Sequence, residues 1–399
     1  MPAGFYLLIA TQFLSSLADN ALLIIAIALL HAQNMPLWWV PLLKFAFTLA
    51  YVLLAPFAGP LADAMPKARL MAWMNALKVL GALLLLAGVS PPLALAVTGM
   101  GAALYAPAKY GLVTELVGPA RLVAANGWIE VSVVCAVLLG TLFGGFLVSD
   151  VFTQWLPGGA LYGVLSVYVL ASVLNVGVPD SGARYPQFHR SPAALLQDFR
   201  QANRALWRDA LGGLSLAFTT LFWGVGAMLQ FAVLLWADVA LGLGLSQASY
   251  LQAVVAVGVM AGAGFAGRYV ALAHAQRVLP AGLLLGLLLP VVASTTQMGP
   301  AIVLLVLVGA VGGMLVVPMN ALLQHRGHVL LTAGRSIAVQ NFNENLSVLV
   351  TLGIYAALLA LGWSIITVMW LAGMVVALFS ASVLWRAHRA RLGLAAARE

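Results

Sequence analysis

Apolar runs of about 20 residues recur from one end of this chain to the other, parted by short polar breaks. Wound as a helix, such a run covers the roughly 30 Å hydrocarbon core of a bilayer. Inside hydrocarbon every backbone N–H and C=O must find its partner within the protein, which leaves helices and closed barrels. Barrel strands would read as short alternating segments, and the runs here are continuous. Charged residues make up 8% of the chain, far below the roughly 25% that covers a soluble domain. The expected class is an all-α polytopic membrane protein.

Spans are expected at about 5–31, 38–61, 69–89, 92–116, 121–149, 157–178, 210–240, 247–270, 277–296, 299–324, 335–361 and 363–385, twelve in all. Turn signals fall between them, at His31 to Pro36, Ser90 to Pro92, Pro157 to Gly159 and Met298 to Pro300. The positive charges follow the same frame. Of the 19 Lys and Arg, all but Lys44, Lys78 and Lys109 fall in every second connection or in the tail. They are Lys67 and Arg69, then Arg121, then Arg184, Arg190, Arg200, Arg204 and Arg208. Arg268 and Arg277, Arg326 and Arg335, and the tail residues Arg386, Arg389, Arg391 and Arg398 complete the set. The intervening connections hold none. By the positive-inside rule both termini lie in the cytoplasm. A count wrong by one helix would scatter the charges, so the partition supports twelve spans.

That placement accounts for the net charge of +8 without nucleic acid, and the tail arginines are expected at anionic headgroups. Cys135 is the only cysteine, so neither an internal disulfide nor a cluster site is expected. The N-terminus lacks a basic leader region, and the first helix is read as a retained span.

The longest polar stretch, 179–209, is basic, contains Pro186 and Pro192, and divides the spans six and six. The expected organisation is a six-helix half over 1–178, a cytoplasmic linker over 179–209, a second half over 210–388 and a basic tail over 389–399. An internal match supports two halves. Arg121, Ala124, Asn126 and Glu130 correspond in spacing to Arg335, Ala338, Gln340 and Glu344. Pro107 with Lys109 corresponds to Pro318 with Asn320.

An ionisable group at the centre of a spanning helix costs at least about 2.5–3.5 kcal/mol, so such groups line a cavity or pair with one another. Asp19 and Asn20 stand about 22 Å along the first span, past the midplane. Glu130 and Glu344 stand about 13 Å into theirs, close to the midplane. Gln340, Asn341, Asn343, Glu344 and Asn345 form an almost continuous polar stretch that cannot face lipid all round. Positions 341, 344 and 345 share a helical face, which is expected to line a central cavity, and Asn126 with Glu130 does the same on the fifth span. Lys109 lies beside Pro107 and Gly111, where a kink is expected. It either snorkels to the interface or partners Glu115, Glu130 or a lipid phosphate. Lys44 or Lys78 is a possible structural partner for Asp19. Gln230 and Asp238 are the polar positions of the seventh span. Trp38, Trp39, Trp223 and Trp236 read as belt or packing aromatics.

No glycine-rich phosphate loop occurs, and no histidine–carboxylate cluster or nucleophile motif lies within a span. No cofactor or metal is expected.

The connection Gly59-Pro-Leu-Ala-Asp63-Ala-Met-Pro-Lys67-Ala-Arg69 resembles the loop signature of the major facilitator superfamily, with Pro66 where that family has glycine. The resemblance implies a gating loop of Gly59, Asp63, Lys67 and Arg69, with Asp63 latching the halves in one state of alternating access. The plainer reading is an ordinary positive-inside loop with an aspartate at a helix end.

Five blocks are more specific: Gln12 to Leu23, Tyr105 to Gly111, Leu221 to Gly224, Pro318 to Gln324 and Ala338 to Asn345. Together they resemble the bacterial lysophospholipid transporters, in the same order along the chain. That family is a branch of the major facilitator superfamily in Gram-negative inner membranes. The resemblance implies a transporter, not an enzyme, that moves lysophospholipids such as lysophosphatidylethanolamine and lysophosphatidylglycerol from the outer to the inner leaflet. An acyltransferase/acyl carrier protein synthetase on the cytoplasmic side then re-acylates them. It implies a path through Asp19, Asn20, Lys109, Glu130, Asn341 and Glu344, and the other polar positions expected along it are Asn126, Gln230, Asn320, Gln340 and Asn345. Gln230 is a departure, because the family commonly has arginine there, facing the acid of the first span. The alternative is a proton-coupled antiporter of drugs or small amphiphilic metabolites, with Asp19 or Glu344 carrying the proton. A membrane acyltransferase would have only His325 and His328 to work with, and the two-half organisation disfavours a plain channel.

Overall fold

The computed structural model describes residues 1–35, 39–156, 158–185 and 191–396. Pro36, Trp38, Pro157, Pro186, Arg190 and Arg398, and the side chains of Arg389 and Arg391, lie outside the described residues. Every expected span is a helix: α1 (Ala3–Ala32), α2 (Trp39–Ala64), α3 (Lys67–Leu86), α4 (Pro91–Leu116), α5 (Leu122–Leu147), then, after a short α6 (Asp150–Trp155), α7 (Ala160–Val176). The second series is α9 (Ala210–Leu241), α10 (Leu245–Tyr269), α11 (Leu279–Ala293), α12 (Met298–Leu330), α13 (Ala333–Ala360) and α14 (Ile365–Ala396), with α8 (Pro192–Arg208) between the two. Among the described residues there are 14 α-helices and no strand.

Ten of these helices are long and apolar enough to cross a membrane. The other two expected spans are α4, diluted by Pro, Gly, Thr and Tyr, and α7, which has 17 residues. The prolines inside α2, α4, α11 and α12 leave those helices continuous. Neighbouring helices and local adjustment re-satisfy the backbone groups that each proline frees.

The residues 179–209, expected as a linker, contain a whole helix. Ser191 caps the N-terminus of α8 by accepting from the Ala194 N–H, and Pro192 opens it, as proline suits a first helical position. Leu195, Ala202 and Leu206 are buried along one side. The stretch is polar on average, but its apolar residues recur with the 3.6-residue period of a surface helix.

Within the first series α1 packs on α5 and α7, α2 on α4, and α3 on α4 and α7. Within the second series α9 packs on α13 and α14, α10 on α12, and α11 on α12 and α14. The same pairing thus recurs when each helix is shifted by six spans. Between the series, α2 meets α13 and α5 meets α10, again an exchanged pair.

Backbones come closest where α10 crosses α12. A Cβ at Gly262 would lie 1.9 Å from the Ala310 carbonyl oxygen, and one at Gly313 would lie 2.3 Å from that of Val259. Gly258 and Gly309 repeat the fit one turn away. Lipid tails are as apolar as leucine side chains, so helices in a bilayer associate through close van der Waals packing, which small residues at spacing four permit.

Candidate functional site

On α1, Gln12, Ser15 and Asp19 fall at i, i+3 and i+7, so they share a face turned toward α3, α4, α5 and α7. Lys78 of α3 meets Asp19 Oδ2 through Nζ at 2.7 Å and donates to Ser15 Oγ at 2.9 Å. Tyr168 of α7 donates to Asp19 Oδ1 at 2.7 Å, and Ser15 donates to Asn75 Oδ1 at 2.7 Å. The Asp19 charge is therefore neutralised inside the first series by Lys78, whereas Lys44 is exposed. Asn20 turns back on its own helix, donating to the Ser16 carbonyl at 2.8 Å.

Lys109 of α4 is buried at 8% exposure, which overturns the snorkelling expectation. Proline-bearing α4 runs on as helix and keeps the ammonium among α1 and α4 side chains rather than at an interface. It donates to Gln12 Oε1 at 3.4 Å and lies 4.2 Å from the centre of the Tyr110 ring, a cation–π contact. Gln12 is itself anchored by donating to Ser132 of α5 at 2.6 Å. Glu115 is not its partner. That carboxylate takes Lys67 at 2.7 Å and accepts from Ser181. Glu130, on α5, is buried.

In the second series Gln340 of α13 donates to Asn320 Oδ1 of α12 at 2.9 Å and to Glu344 Oε1 at 2.8 Å. All three are buried. Asn345 donates to the Asn341 carbonyl at 2.8 Å, and Asn341 Nδ2 is buried without a partner. Gln230 is exposed, and its backbone carbonyl accepts from Gln252 of α10 at 2.6 Å. The polar run on α13 thus splits. Asn343 leaves it to bond α8, donating to Asn203 at 2.9 Å and accepting from Trp207 at 3.1 Å. The aromatics divide too: Trp236 is wholly buried and donates to the Ala293 carbonyl at 3.2 Å, a packing role.

Charged and amide contacts join the two series at the end that carries the chain termini. Asn126 of α5 and Gln324 of α12 exchange amide hydrogen bonds of 2.8 and 2.9 Å. Asp63, at the end of α2, accepts from Thr332 and from the N–H groups of Gly334 at 2.9 Å and Arg335 at 3.2 Å. It therefore caps the free N–H groups that open α13, where a carboxylate is favoured. Gly59 makes the approach possible, since a Cβ there would lie 2.8 Å from the Arg335 Cα. Lys67 of the expected gating loop is spent on Glu115, and Arg69 is exposed.

Sequence reading missed Gln12, Ser15, Asn75, Ser132, Tyr168 and Gln324. The first two were legible as part of the α1 stripe, and Asn75 with Lys78 as an i, i+3 pair. Tyr168 and Gln324 carry no local signal, because their partners come from other helices. Among the described residues no group of three or more His, Cys, Asp or Glu is placed to hold a metal ion.

The model of the major facilitator superfamily matches residues 8–351. A protein of Serratia proteamaculans named lysophospholipid transporter LplT is 42% identical over 349 residues, 87% of this chain and 86% of that protein. One of the same name from Yersinia pestis is 41% identical over 361 residues, 90% and 88% of the two chains. Among solved structures, the major facilitator transporter FucP in its outward conformation superposes with a TM-score of 0.74 at 15% identity, covering 96% of this chain and 98% of that one. A bacterial homologue of the iron transporter ferroportin, in an outward-facing state, gives 0.70 at 14% identity, over 96% and 99%. The chain belongs to the major facilitator superfamily and, within it, to the lysophospholipid transporters.

Proposed function

We propose that this protein moves lysophospholipids, such as lysophosphatidylethanolamine and lysophosphatidylglycerol, from the outer to the inner leaflet of a bacterial inner membrane. It does so by alternating access between two six-helix halves, with both termini in the cytoplasm. The observation that carries the reading is the likeness, above 40% identity over most of the chain, to proteins named for that cargo. The repeated helix pairing supports two halves over 1–178 and 210–388, joined by the 179–209 segment. The contacts of Asp63 and of Asn126 with Gln324 hold the terminal-bearing end shut, which suits a state loaded from the opposite leaflet.

The chemistry of the path fits an amphiphile. Lys67 and Lys78 each have a carboxylate at 2.7 Å, while Lys109 has an amide and a ring. Glu130 is a charged neighbour of Lys109 but forms no ion pair in contact with it, and a headgroup phosphate supplies an anion in direct contact. Glu130, Glu344, Asn320, Gln340, Asn341 and Asn345 offer acceptors and donors to the ammonium or glycerol end, and the single acyl chain leaves between helices into lipid. Re-acylation by an acyltransferase/acyl carrier protein synthetase on the cytoplasmic side removes the product and drives the flux.

Buried Glu130 and Glu344 also suit the second reading, a proton-coupled antiporter. Uptake of labelled lysophosphatidylethanolamine into spheroplasts, with and without a protonophore, separates the two. The expected result is uptake that survives the protonophore in the parent and falls in Asp19→Asn and Glu344→Gln. Uptake abolished by the protonophore favours coupling, and no lysolipid uptake at all by the parent overturns the assignment.

A further inference from the structure

Helix α8 carries none of the residues expected on the transport path, yet its seat is well defined. Its inner side joins Leu216, Leu323 and Val339 in a small apolar cluster. The Phe199 ring meets Phe342 of α13 edge-on at 5.2 Å. Phe199 and Ala202 also line a small cavity with Pro56 and Pro60 of α2 and Arg335 of α13. Phe342 stands nine residues into α13, about 14 Å from its start at 1.5 Å per residue. Pro56 stands about 12 Å from the end of α2 by the same measure. Helix α8 therefore flanks the side of the bundle along the α2–α13 seam and does not cap its end. Helix α13 has 28 residues, about 42 Å at 1.5 Å per residue, and outruns the roughly 30 Å hydrocarbon core, so the helix seated near its start lies beside the headgroup layer, where basic amphipathic helices bind.

The opposite side of α8 is composed for such a surface. Arg200, Arg204 and Arg208 recur at spacing four and are exposed. Leu196 and Trp207 stand beside them, 39% and 41% exposed. The acidic residues of this segment face away: half-buried Asp198 lines the inner cavity, and Asp209 is ion-paired with Arg326. Arg69, Arg121, Arg268 and Arg277 are exposed at the same end of the bundle.

We propose that the outer face of α8 is a docking surface for anionic phospholipid headgroups, with the three guanidinium groups on phosphates and Leu196 in the acyl boundary, while Trp207 keeps its hydrogen bond to Asn343 of α13. Guanidinium groups match phosphate geometry in two-point contacts. Each basic residue near an anionic leaflet adds to the attraction. The inference holds whichever cargo the transporter carries. Because α8 touches both α2 and α13, lipid that seats it also bears on the seam those helices form.

The test places a spin label at Gln197→Cys, an exposed position on the outer side, in the full chain carrying Cys135→Ser. The protein is reconstituted in phosphatidylcholine alone or with phosphatidylglycerol, and depth is read from oxygen against nickel-complex accessibility. With phosphatidylglycerol the label is expected to move severalfold toward oxygen accessibility. High salt, where the screening length shrinks to about 3 Å at 1 M, should weaken the shift. The combined change R200Q, R204Q and R208Q should abolish it. Equal depth in both lipids overturns the proposal, and that comparison needs no charge variant to fold. A shift that survives the triple change overturns it as well. So does a label that stays water-accessible in every membrane, which would leave the face to a soluble acidic partner.

Discussion

Asp19 and Lys78 form a charge pair in the membrane interior, and each depends on the other. Taking two charges out of water costs several kcal/mol apiece, recovered only while the pair is intact and its remaining lone pairs are satisfied. Tyr168 and Ser15 supply that satisfaction here. Lys78→Met leaves Asp19 charged and unpaired and should cost about 3–5 kcal/mol. The double variant Asp19→Asn with Lys78→Met should recover most of the loss. Thermal unfolding of the purified protein in detergent reads both, and a single variant as stable as the parent would show the pair to be idle. The sequence marked Asp19 as too costly to face lipid, and Ser15 continues its stripe. It left the partner open between Lys44 and Lys78. Only the packing of α3 against α7 and α4 brings Lys78 under α1, because distance between spans is not encoded in spacing along any one of them.

At the scale of helices, the α10–α12 crossing rests on glycines whose added Cβ would enter the facing backbone. Gly313→Leu should destabilise by at least about 1–3 kcal/mol, the usual range for overpacking. Backbone, unlike a flexible side chain, cannot move aside. A melting temperature within error of the parent would contradict the fit. Helix α8 makes the opposite point, since its polarity read as linker while its stripe of Leu195, Ala202 and Leu206 specified a helix. Its last contact is Asp209, which accepts from Arg326 Nε at 3.1 Å and caps α9 by accepting from the Gly212 N–H at 2.7 Å. The Arg326 hydrogen bond holds this carboxyl below its ordinary 3.8. A carboxyl with a depressed folded pKa adds stability above its unfolded pKa, and that stability disappears as pH falls through the folded value. Asp209→Asn should therefore lower the melting temperature at neutral pH. Its cost should vanish only below about pH 4, where the parent also loses the charge. A gap that stays constant down to acid would rule out the ionic contact as its source.

For the molecule as a whole, the weight falls on the closed end. Asp63 gathers the hydroxyl of Thr332 and two N–H groups of α13, and Asn126 exchanges amides with Gln324. Charge-assisted hydrogen bonds of the Asp63 kind contribute roughly 1.5–3 kcal/mol each. Asp63→Asn keeps the shape and loses the charge, so the population should move toward states open at that end. Spin-label distances between the ends of α2 and α13 should lengthen or broaden. An unchanged distance distribution would remove Asp63 from the latch. A latching role for Asp63 is what the resemblance of its loop implies, whereas the loop's other charges are engaged elsewhere, Lys67 on Glu115 and Arg69 in solvent.

By itself the sequence determined the helices, because hydrocarbon thickness and backbone hydrogen bonding impose a length and a polarity that each segment must meet alone. It also singled out buried ionisable residues such as Lys78, Lys109, Glu130 and Glu344, whose cost in lipid is a property of the residue and its depth, while buried amides and hydroxyls such as Gln12, Asn75 and Gln324 passed unmarked. Tertiary structure decided the pairings. Lys78 rather than Lys44 takes Asp19, Lys67 takes Glu115, Lys109 keeps an amide and a ring, and Asn343 turns to α8. Each outcome depends on which helices lie side by side, and that is set by close packing among small residues far apart in the chain.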